Sequence, residues 1–565
     1  MNSGNHIALS IKDLSIKVGA KSLLIEGSLQ IQRGKITGIF GKSGSGKSIF
    51  CQSLLDISPI EPGAVGGEIK YIGPNSDSKR KDITIDFLKL SIGRGFRKEF
   101  YKNMRFYQFE LIRDRSVSYI FQERGKAWDP KFTIKEHFDE LKSNGEDQQL
   151  LSEKLKQRLW PRDKSEINKP GEFSGGEIQR IHTILSLSKS PEILILDEAT
   201  TNLDPINEKL LLDTIQNLVV EKGLTVLIIS HSYRILRHYA DVVYELSPQR
   251  KFELKEKDTL GGFSKKSIST SKKNSKDRVT LLKLDSYTVK LKKVKKGERE
   301  KILNNIKLSL ATGETLGIIG ESGAGKTTLL NMVGKLMTGK DTPFSTTGQI
   351  IYSNEQFNLD THSGEQIDLE FRSFCQTIFQ HPDESLNIYL KPKTLFMEAY
   401  RLHHSKEYRD ARKIHNPLYN YRFLDQKVKG LLKEYGLYEY LLIPNTNTGK
   451  IIYQEKIKNL SGGEKRLVGI ARVLLAEPSL ILIDEPLAGL DRDLKEIAIE
   501  SFLKLKEHGK SLIITSHDFE LIRKTCDRVV VFNNGELLEE GSCYEVLDNP
   551  KHEYSQELVK AGFLE

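Results

Sequence analysis

The octapeptide GKSGSGKS, Gly41–Ser48, follows the apolar run Ile36–Phe40 and precedes the helix-like run Ile49–Leu55. This order of strand, glycine-rich turn and helix is the one that a phosphate-binding loop requires. The glycines let backbone N–H groups turn toward phosphates, Lys47 reaches the β- and γ-phosphates, and Ser48 offers its hydroxyl to Mg²⁺. The predicted nucleotide-binding residues of this loop are Gly41, Ser43, Gly44, Gly46, Lys47, Ser48 and Ile49.

The chain repeats this loop and three further motifs in the same order. GESGAGKT at Gly320–Thr327 returns 279 residues after the first loop and follows the apolar run Leu316–Ile319. The motifs SGGE, apolar-DE and SH return at offsets of 287, 287 and 286 residues. A near-constant offset with the order preserved indicates two copies of one domain. The second loop adds the predicted nucleotide-binding residues Gly320, Ser322, Gly323, Gly325, Lys326, Thr327 and Thr328.

The repeat predicts two tandem domains joined by a linker. We place the first domain at residues 1–247, a flexible basic linker at 248–280 and the second domain at 281–565. The linker prediction rests on Phe263–Lys276, which carries five lysines and no acidic residue and cannot bury apolar surface. Each domain should be α/β, with a parallel-sheet P-loop core.

Paired acids follow a short apolar run in each copy. Ile193–Leu196 and Leu480–Ile483 are predicted to be central strands of a parallel sheet, because such strands are buried on both faces. Ligands bind at the carboxyl ends of these strands. The first acid of each pair is expected to hold Mg²⁺, and the second to accept a proton from, or polarise, the attacking water. The pairs are Asp197-Glu198 and Asp484-Glu485.

Three further residue types complete each copy, although each alone is more typical of a structural turn or a surface position. A small residue followed by two glycines at a helix start predicts a second anion site, with the serine as N-cap and hydrogen-bond donor. A glutamine after a strand can ligate Mg²⁺ and sense the nucleotide, and a histidine at a strand end can contact the γ-phosphate. The anion-site residues are Ser174, Gly175, Gly176, Ser461, Gly462 and Gly463, the glutamines are Gln122 and Gln380, and the histidines are His231 and His517. The predicted metal ligands are Ser48, Thr327, Gln122, Gln380, Asp197 and Asp484, and the predicted catalytic residues are Glu198, Glu485, His231 and His517.

Composition excludes several classes of protein. Of the 565 residues, 38% are hydrophobic and 29% are charged, which is typical of a globular chain. No apolar run approaches the roughly 20 residues of a membrane helix, and four distant cysteines form neither a metal pair nor a disulfide framework. We therefore expect a soluble chain in a reducing compartment. The net charge of +10 suits an anionic partner but does not distinguish nucleic acid, a lipid surface or a plain solvated surface.

Taken together, the motifs resemble the nucleotide-binding domains of ABC transporters. The phosphate loop, glutamine loop, SGG signature, Asp-Glu pair, D-loop and switch histidine occur in that order, twice, and cover nearly the whole chain outside the linker. The resemblance implies that each domain has a RecA-like parallel-sheet core, a helical lobe and a β-rich edge near its N-terminus. It also implies ATP and Mg²⁺ as ligands and a head-to-tail arrangement of the two domains. One site would then combine Lys47 with Ser461, and the other would combine Lys326 with Ser174. The D-loops are Thr201–Asp204 and Ala488–Asp491.

A narrower resemblance concerns oligopeptide, dipeptide and nickel importer ATPases. Ile120–Phe138, Ile378–Ala399 and the tail Gly541–Gly562 look like stretches of those proteins. The resemblance implies a subunit that hydrolyses ATP to energise import of peptides, nickel or similar small solutes. It also implies two transmembrane permease subunits and a solute-binding protein as partners, peripheral contact with the cytoplasmic face of the inner membrane, and no nucleic acid.

Two features qualify this interpretation. Glu177 and Glu464 replace the glutamine that usually ends the signature, a change that we expect to be tolerated because the serine and the backbone bind the phosphate. The alternative that stays open is a soluble twin-ATPase translation factor acting on the ribosome. The short lysine–serine-rich linker argues against it, because that group carries a long helical linker.

Overall fold

The computed structural model describes most of the chain. The described residues are 6–18, 21–42, 45–57, 62–73, 82–87, 107–113, 117–121, 128–140, 146–161, 164–201, 203–247, 249–257, 279–292, 301–337, 342–352, 369–381, 385–404, 417–445 and 448–564. Contacts between residues divide the chain into two compact units, and the division falls between Gly262 and Phe263.

The first unit contains two sheets. Its strands are β1 (Ile7–Val18), β2 (Lys21–Gln32), β3 (Ile36–Phe40), β4 (Pro62–Tyr71), β5 (Ile83–Asp86), β6 (Val117–Ile120), β7 (Ile193–Asp197), β8 (Thr225–Ile229), β9 (Val242–Leu246) and β10 (Phe252–Lys255). Its helices are α1 (Lys47–Ser53), α2 (Ile134–Glu140), α3 (Glu146–Leu159), α4 (Gly175–Ser188), α5 (Pro205–Lys222) and α6 (Tyr233–Tyr239). The six-stranded sheet has the order β10-β9-β3-β8-β7-β6, and the four-stranded sheet has the order β2-β1-β4-β5.

The second unit repeats this plan. Its strands are β11 (Thr280–Leu291), β12 (Lys301–Ala311), β13 (Thr315–Gly320), β14 (Phe344–Tyr352), β15 (Cys375–Ile378), β16 (Leu480–Asp484), β17 (Ser511–Thr515), β18 (Arg528–Asn533) and β19 (Glu536–Ser542). Its helices are α7 (Lys326–Val333), α8 (Leu369–Phe374), α9 (Pro392–His403), α10 (Pro417–Glu434), α11 (Tyr438–Leu441), α12 (Gly462–Leu474), α13 (Arg492–Glu507), α14 (Phe519–Thr525), α15 (Cys543–Asp548) and α16 (Glu553–Phe563). The larger sheet has the order β15-β16-β17-β13-β18-β19, and the smaller has the order β12-β11-β14.

The larger sheet of each unit is parallel except at one edge. In the first unit β6, β7, β8, β3 and β9 run parallel, and β10 joins β9 antiparallel. In the larger sheet of the second unit β15, β16, β17, β13 and β18 run parallel, and β19 joins β18 antiparallel. Every residue of β3, β7, β8, β13, β16 and β17 is buried. This burial on both faces confirms the predicted parallel core.

Strand order determines where the sites lie. In the first unit β8 lies between β3 and β7, and in the second unit β17 lies between β13 and β16. The phosphate loop, the paired acids and the switch histidine follow these three neighbouring strands in each unit. Because the strands are parallel, all three motifs emerge at the same edge of the sheet.

The smaller antiparallel sheets and the helices between the glutamine loop and the signature match the predicted β-rich edge and helical lobe. The first lobe contains α2 and α3 among the described residues, and the second contains α9, α10 and α11. Within the described part of the chain, none of the helices combines the length and the apolar character needed to span a bilayer.

The structure corrects one part of the predicted linker. Residues 248–280 were expected to be flexible, but Phe252–Lys255 forms β10, and Phe252 pairs with Leu246 of β9. The alternating apolar residues of this short strand were hidden by the lysines around them. The lysine-rich core of the linker, Phe263–Lys276, lies outside the described residues, so its role as a tether stays a prediction.

Candidate functional site

The phosphate loop of the second unit connects β13 to α7. Gly325 has φ +101°, and a Cβ there would lie 3.0 Å from the carbonyl oxygen of Ile302, so glycine is required for this turn. Lys326 is 6% exposed. Its Nζ donates hydrogen bonds to the carbonyl oxygens of Gly320 at 2.7 Å and Glu321 at 2.8 Å. The loop therefore holds a buried cation beside the backbone that would surround a phosphate.

The first unit repeats this arrangement. Lys47 Nζ donates to the carbonyl oxygens of Gly41 and Lys42, both at 2.9 Å, and Gly46 has φ +100°. In the same loop, Ser45 Oγ is buried without a hydrogen-bond partner among the described residues. An unpaired buried hydroxyl beside a lysine fits a loop that is completed by an anionic ligand. The sequence interpretation did not single out Ser45.

The hydroxyl residue after each lysine contacts the first acid of the Asp-Glu pair. Ser48 Oγ donates to Asp197 Oδ1 at 2.9 Å, and Thr327 Oγ1 donates to Asp484 Oδ2 at 2.9 Å. Hydroxyl and carboxylate oxygens are ligands that Mg²⁺ prefers. The residues present therefore fit a Mg²⁺ ion held between the phosphate loop and the end of β7 or β16.

The second oxygen of each aspartate is held differently in the two units. Tyr119 on β6 donates its hydroxyl hydrogen to Asp197 Oδ2 at 2.6 Å. In the second unit Thr515, at the end of β17, donates to Asp484 Oδ1 at 2.5 Å. These hydroxyls come from neighbouring strands on opposite sides of the acid-bearing strand. Neither was identified from sequence, because no local pattern marks a side chain that contacts the site from an adjacent strand.

The predicted catalytic glutamate and switch histidine lie together in each unit. His231 Nε2 lies 2.6 Å from Glu198 Oε1. His517 Nε2 lies 3.4 Å from Glu485 Oε1, while the backbone N–H of His517 donates to Glu485 Oε2 at 3.1 Å. Both glutamates adopt the left-handed backbone region, with φ of 50° and 44°. Such strained residues persist where the surrounding structure holds them, commonly at active sites.

The environments of the two glutamates differ. Burial, the largest single influence, acts to raise the pKa of Glu198, but the hydrogen bond and charge of His231 together with the charge of Lys47 outweigh it, so the pKa of this carboxyl is lowered. Desolvation raises the pKa of Glu485 to about 7, against the lowering effect of Lys326. Glu485 Oε1 is buried and accepts no hydrogen bond from the described residues. The two sites therefore share their residue types but not their electrostatics.

Each SGGE motif starts a helix in the predicted way. Ser174 and Ser461 are the N-caps of α4 and α12, and each Oγ accepts a hydrogen bond from the N–H of the following glutamate at 3.3 Å. The hydroxyl hydrogen can then be donated outward. At Gly463 a Cβ would lie 2.7 Å from Leu494 Cδ1, so a larger residue would force that leucine side chain to shift.

The signature glutamates have a structural role that the sequence interpretation missed. Glu177 and Glu464 each accept a hydrogen bond from the N–H of the N-cap serine at 2.7 Å, which completes a capping box. Glu464 is 6% exposed and also accepts from Asn445 Nδ2 at 2.8 Å. The glutamates are thus more than tolerated replacements, because they fix the start of the signature helix.

The remaining predicted residues are placed as follows. Ile49 and Thr328 lie in α1 and α7, immediately after the hydroxyl residues, and Gln380 follows β15. Asp204 and Asp491 end the D-loops as N-caps of α5 and α13. Ser43, Gly44 and Gln122 lie outside the described residues.

A contact from the C-terminal tail was not anticipated: Tyr554 in α16 accepts a hydrogen bond from the N–H of Glu321, in the second phosphate loop, at 3.0 Å.

Two segments of the chain match the same protein family. Residues 24–201 and residues 303–488 each match the family model described as ABC transporter, and the two matches together cover more than half of the chain. The chain belongs to the ABC transporter family. It is an ATP-binding protein with two fused nucleotide-binding domains, and it is an ATPase. Each matched segment begins before a phosphate loop and ends beyond an Asp-Glu pair.

Curated relatives match along the whole chain. An uncharacterized ABC transporter ATP-binding protein, YejF of Escherichia coli K12, is 27% identical over 98% of this chain and 98% of its own length. The peptidoglycan transport ATP-binding protein YejF of Agrobacterium fabrum is 25% identical over 98% and 96%. The glutathione import ATP-binding protein GsiA of Salmonella typhimurium is 26% identical over 94% and 85%.

Solved structures show the same tandem fold. The archaeal ribosome recycling factor aABCE1, in complex with the ribosomal stalk protein aP1, matches with a TM-score of 0.58 and 18% identity over 94% of this chain and 90% of that chain. The RNase-L inhibitor matches with a TM-score of 0.58 and 19% identity over 94% and 91%. At these identities the likeness concerns the fold alone.

Proposed function

We propose that this chain is the ATP-hydrolysing subunit of an ABC importer for peptides, nickel or similar small solutes. The observation that carries the proposal is the presence of two phosphate-loop and acid–histidine sites in one chain that resembles import and transport ATPases over at least 94% of its length. Relatives named for glutathione import and peptidoglycan transport support a solute of peptide character. An importer driven by such a chain needs no separate second ATPase subunit.

In the proposed reaction, water attacks the γ-phosphate of ATP in line with the leaving diphosphate. Lys47 and Lys326 neutralise phosphate oxygens within their loops. Glu198 and Glu485 accept a proton from the attacking water or polarise it. The histidine beside each glutamate, at 2.6 Å and 3.4 Å, orients the carboxylate and reaches the γ-phosphate.

The metal and the signature complete the proposed sites. Ser48, Asp197, Thr327 and Asp484 would hold Mg²⁺, together with Gln122 and Gln380; when bound, the ion would neutralise charge on the β- and γ-phosphates. Ser174 and Ser461 donate their hydroxyl hydrogens to a γ-phosphate, since their oxygens already accept a backbone N–H. The family arrangement, in which each signature serves the nucleotide of the other domain, is part of this proposal.

The proposed partners are two transmembrane permease subunits and a solute-binding protein. We propose that other chains supply the permease; none of the described helices of this chain could span a membrane. The proposed location is peripheral, at the cytoplasmic face of the inner membrane. No nucleic acid partner is proposed.

Reconstituted transport tests the proposal. The tagged chain, purified from host membranes with its bound permease, would be placed in liposomes that contain ATP. Labelled dipeptides, glutathione and Ni²⁺ would be offered outside with the solute-binding protein. We expect ATP-dependent uptake of one solute class, and no uptake with the double variant Lys47→Ala, Lys326→Ala.

The alternative that the sequence left open is a translation factor on the ribosome; the likeness to the ribosome recycling factor concerns the fold alone and does not favour it over the importer. The two functions are separated by fractionation of cell extracts at low and high Mg²⁺. Recovery of the chain with ribosomes, and not with membranes that contain a permease, would overturn the importer proposal.

A further inference from the structure

Two arginines on the signature helix of the second unit contact the loops that surround the predicted ATP site. Arg466 lies on α12 and is 8% exposed. One of its terminal nitrogens donates to the carbonyl oxygen of Gln380 in the glutamine loop, and the other donates to the carbonyl oxygen of Ala488 in the D-loop. Arg472, two turns further along α12, donates to the carbonyl oxygen of Ser385 at 2.8 Å. Helix α12 thus binds the glutamine loop and the D-loop through the guanidinium groups of these two arginines.

The guanidinium group of Arg466 restrains the distance between the two carbonyl groups that it binds. A guanidinium group presents its N–H donors in a rigid planar fork, so two carbonyl groups bonded to one fork keep a fixed separation. The contacts are partly buried, and loss of the donor would leave carbonyl groups that are partly shielded from water without a partner. Gln380, Ala488 and the start of α12 at Ser461 must therefore move together or break these hydrogen bonds.

The first unit carries different residues at the same positions. The fifth residue after the signature serine is Gln179 instead of arginine, and the eleventh is Leu185. Gln179 is 3% exposed, and its Nε2 has no hydrogen-bond partner among the described residues. On the same helix, His182 lies between Phe121 and Trp128, with ring centroids 6.5 Å and 5.9 Å away. On this face of the first signature helix His182 contacts aromatic rings, and Gln179 and Leu185 occupy the positions where the second unit has its two arginines.

We propose that Arg466, assisted by Arg472, is a positioning residue that couples the glutamine loop and the D-loop of the second domain to its signature helix. A displacement of Gln380 when ATP binds is passed through the guanidinium group to Ser461. The first domain, with Gln179 and Leu185, transmits the same displacement less strongly. The two directions of communication between the ATP sites are then unequal. This inference rests on the site roles proposed above.

The test uses the residues that the chain itself offers. Arg466→Gln and Arg472→Leu give the second domain the residues of the first. In the full chain we expect Arg466→Gln to lower kcat for ATP hydrolysis by about tenfold, with the affinity for ATP changed by less than about twofold. Arg472→Leu should act in the same direction and more weakly, because it breaks one hydrogen bond. Gln179→Leu is the matched control, and its kcat should stay at the wild-type value.

Hydrogen exchange separates positioning from general structural damage. In the wild-type chain, ATP binding should slow exchange in the glutamine loop near Gln380 and at the start of α12. In Arg466→Gln the change near Gln380 should persist while the change at α12 is lost. A wild-type kcat, or an α12 response that survives in this variant, would overturn the proposal.

Two further variants cover the case in which Arg466→Gln does not fold and the case in which the proposed site roles are wrong. If Arg466→Gln does not fold, Arg466→Lys keeps the charge and reaches one of the two carbonyl groups, so its kcat should be intermediate; a wild-type kcat would overturn the proposal. Lys326→Ala tests the site roles independently. If Lys326→Ala left the affinity for ATP unchanged, the proposed site would be wrong. If Lys326→Ala lowered the affinity for ATP as expected while Arg466→Gln kept the wild-type kcat, the coupling alone would be refuted.

Discussion

At the scale of single residues, the two predicted general bases have the same neighbours in different geometry. Glu198 is hydrogen-bonded to its histidine, whereas Glu485 has one buried oxygen that accepts no hydrogen bond from described residues. Both follow an aspartate that ends a buried strand. The shared chemistry leads us to expect two hydrolytic sites, and the different environments lead us to expect unequal rates.

Glutamine substitution tests both glutamates. Glu198→Gln or Glu485→Gln keeps the shape of the side chain and removes the proton acceptor, so hydrolysis at the altered site should fall by about 10²–10⁴-fold. The measurement is the ATPase rate of each single variant and of the double variant, with ATP binding as the control. If one single variant kept the full wild-type rate, we would assign a structural role to that glutamate.

The hydroxyl groups that hold the aspartates give a second test at this scale. Tyr119→Phe and Thr515→Val remove the hydrogen bonds to Asp197 and Asp484, so the Mg²⁺ affinity of the corresponding site should fall by about tenfold. Mn²⁺ binding in the presence of ATP, followed by electron paramagnetic resonance, measures this without turnover. Tyr71→Phe is the matched control, because the Tyr71 hydroxyl is also buried but donates to the carbonyl oxygen of Leu54 and not to an aspartate of the site. An unchanged affinity in both site variants would show that these hydroxyls do not orient the ligands.

At the scale of elements, the signature helices begin with the same capping box in different surroundings. Both glutamates accept the N–H of the N-cap serine, but Glu464 is buried and is also bonded to Asn445. Loss of a capping interaction costs about 1 kcal/mol. Loss of a buried acceptor leaves a donor unsatisfied and costs more, about 2 kcal/mol. The second helix should therefore depend more strongly on its glutamate.

Unfolding of the full chain checks this expectation. Glu177→Ala should destabilise the first domain by about 1 kcal/mol, and Glu464→Ala should destabilise the second by about 2 kcal/mol. Both tryptophans of the chain, Trp128 and Trp160, lie in the first unit, so tryptophan fluorescence reports the first domain and far-ultraviolet circular dichroism reports both. A larger loss for Glu177→Ala would contradict the role of the buried bond to Asn445.

At the scale of the whole molecule, the segment between the units is predicted to act as a tether. Replacement of Lys265, Lys266, Lys272, Lys273 and Lys276 by serine removes its charge. ATP hydrolysis and transport should persist, because a segment with almost no apolar residues cannot bury enough surface to make a folded contact. Binding to anionic vesicles at low salt should weaken, since a lysine near such a surface contributes at most about 1 kcal/mol. Lost ATPase activity with intact folding would show that the segment does more than tether.

The sequence by itself determined the duplicated P-loop fold and the position of most candidate residues. The phosphate loops, the Asp-Glu pairs and the signature caps are local motifs, in which a few consecutive residues set the backbone path and the hydrogen bonds. The parallel core followed from apolar runs that are buried on both faces, because that pattern suits few other environments. The short strand β10 was not anticipated within the predicted linker, since lysines surround its alternating apolar residues.

The tertiary structure alone decided which side chains support these motifs. Tyr119 contacts Asp197 across 78 positions of the chain, and Arg466 contacts Gln380 across 86. Tyr554 contacts Glu321 across 233 positions. Such pairs leave no periodic or local signal, because they are brought together by strand order and helix packing. The electrostatic difference between Glu198 and Glu485 arises in the same way: desolvation and nearby charges depend on the folded surroundings, not on the two-residue motif that both sites share.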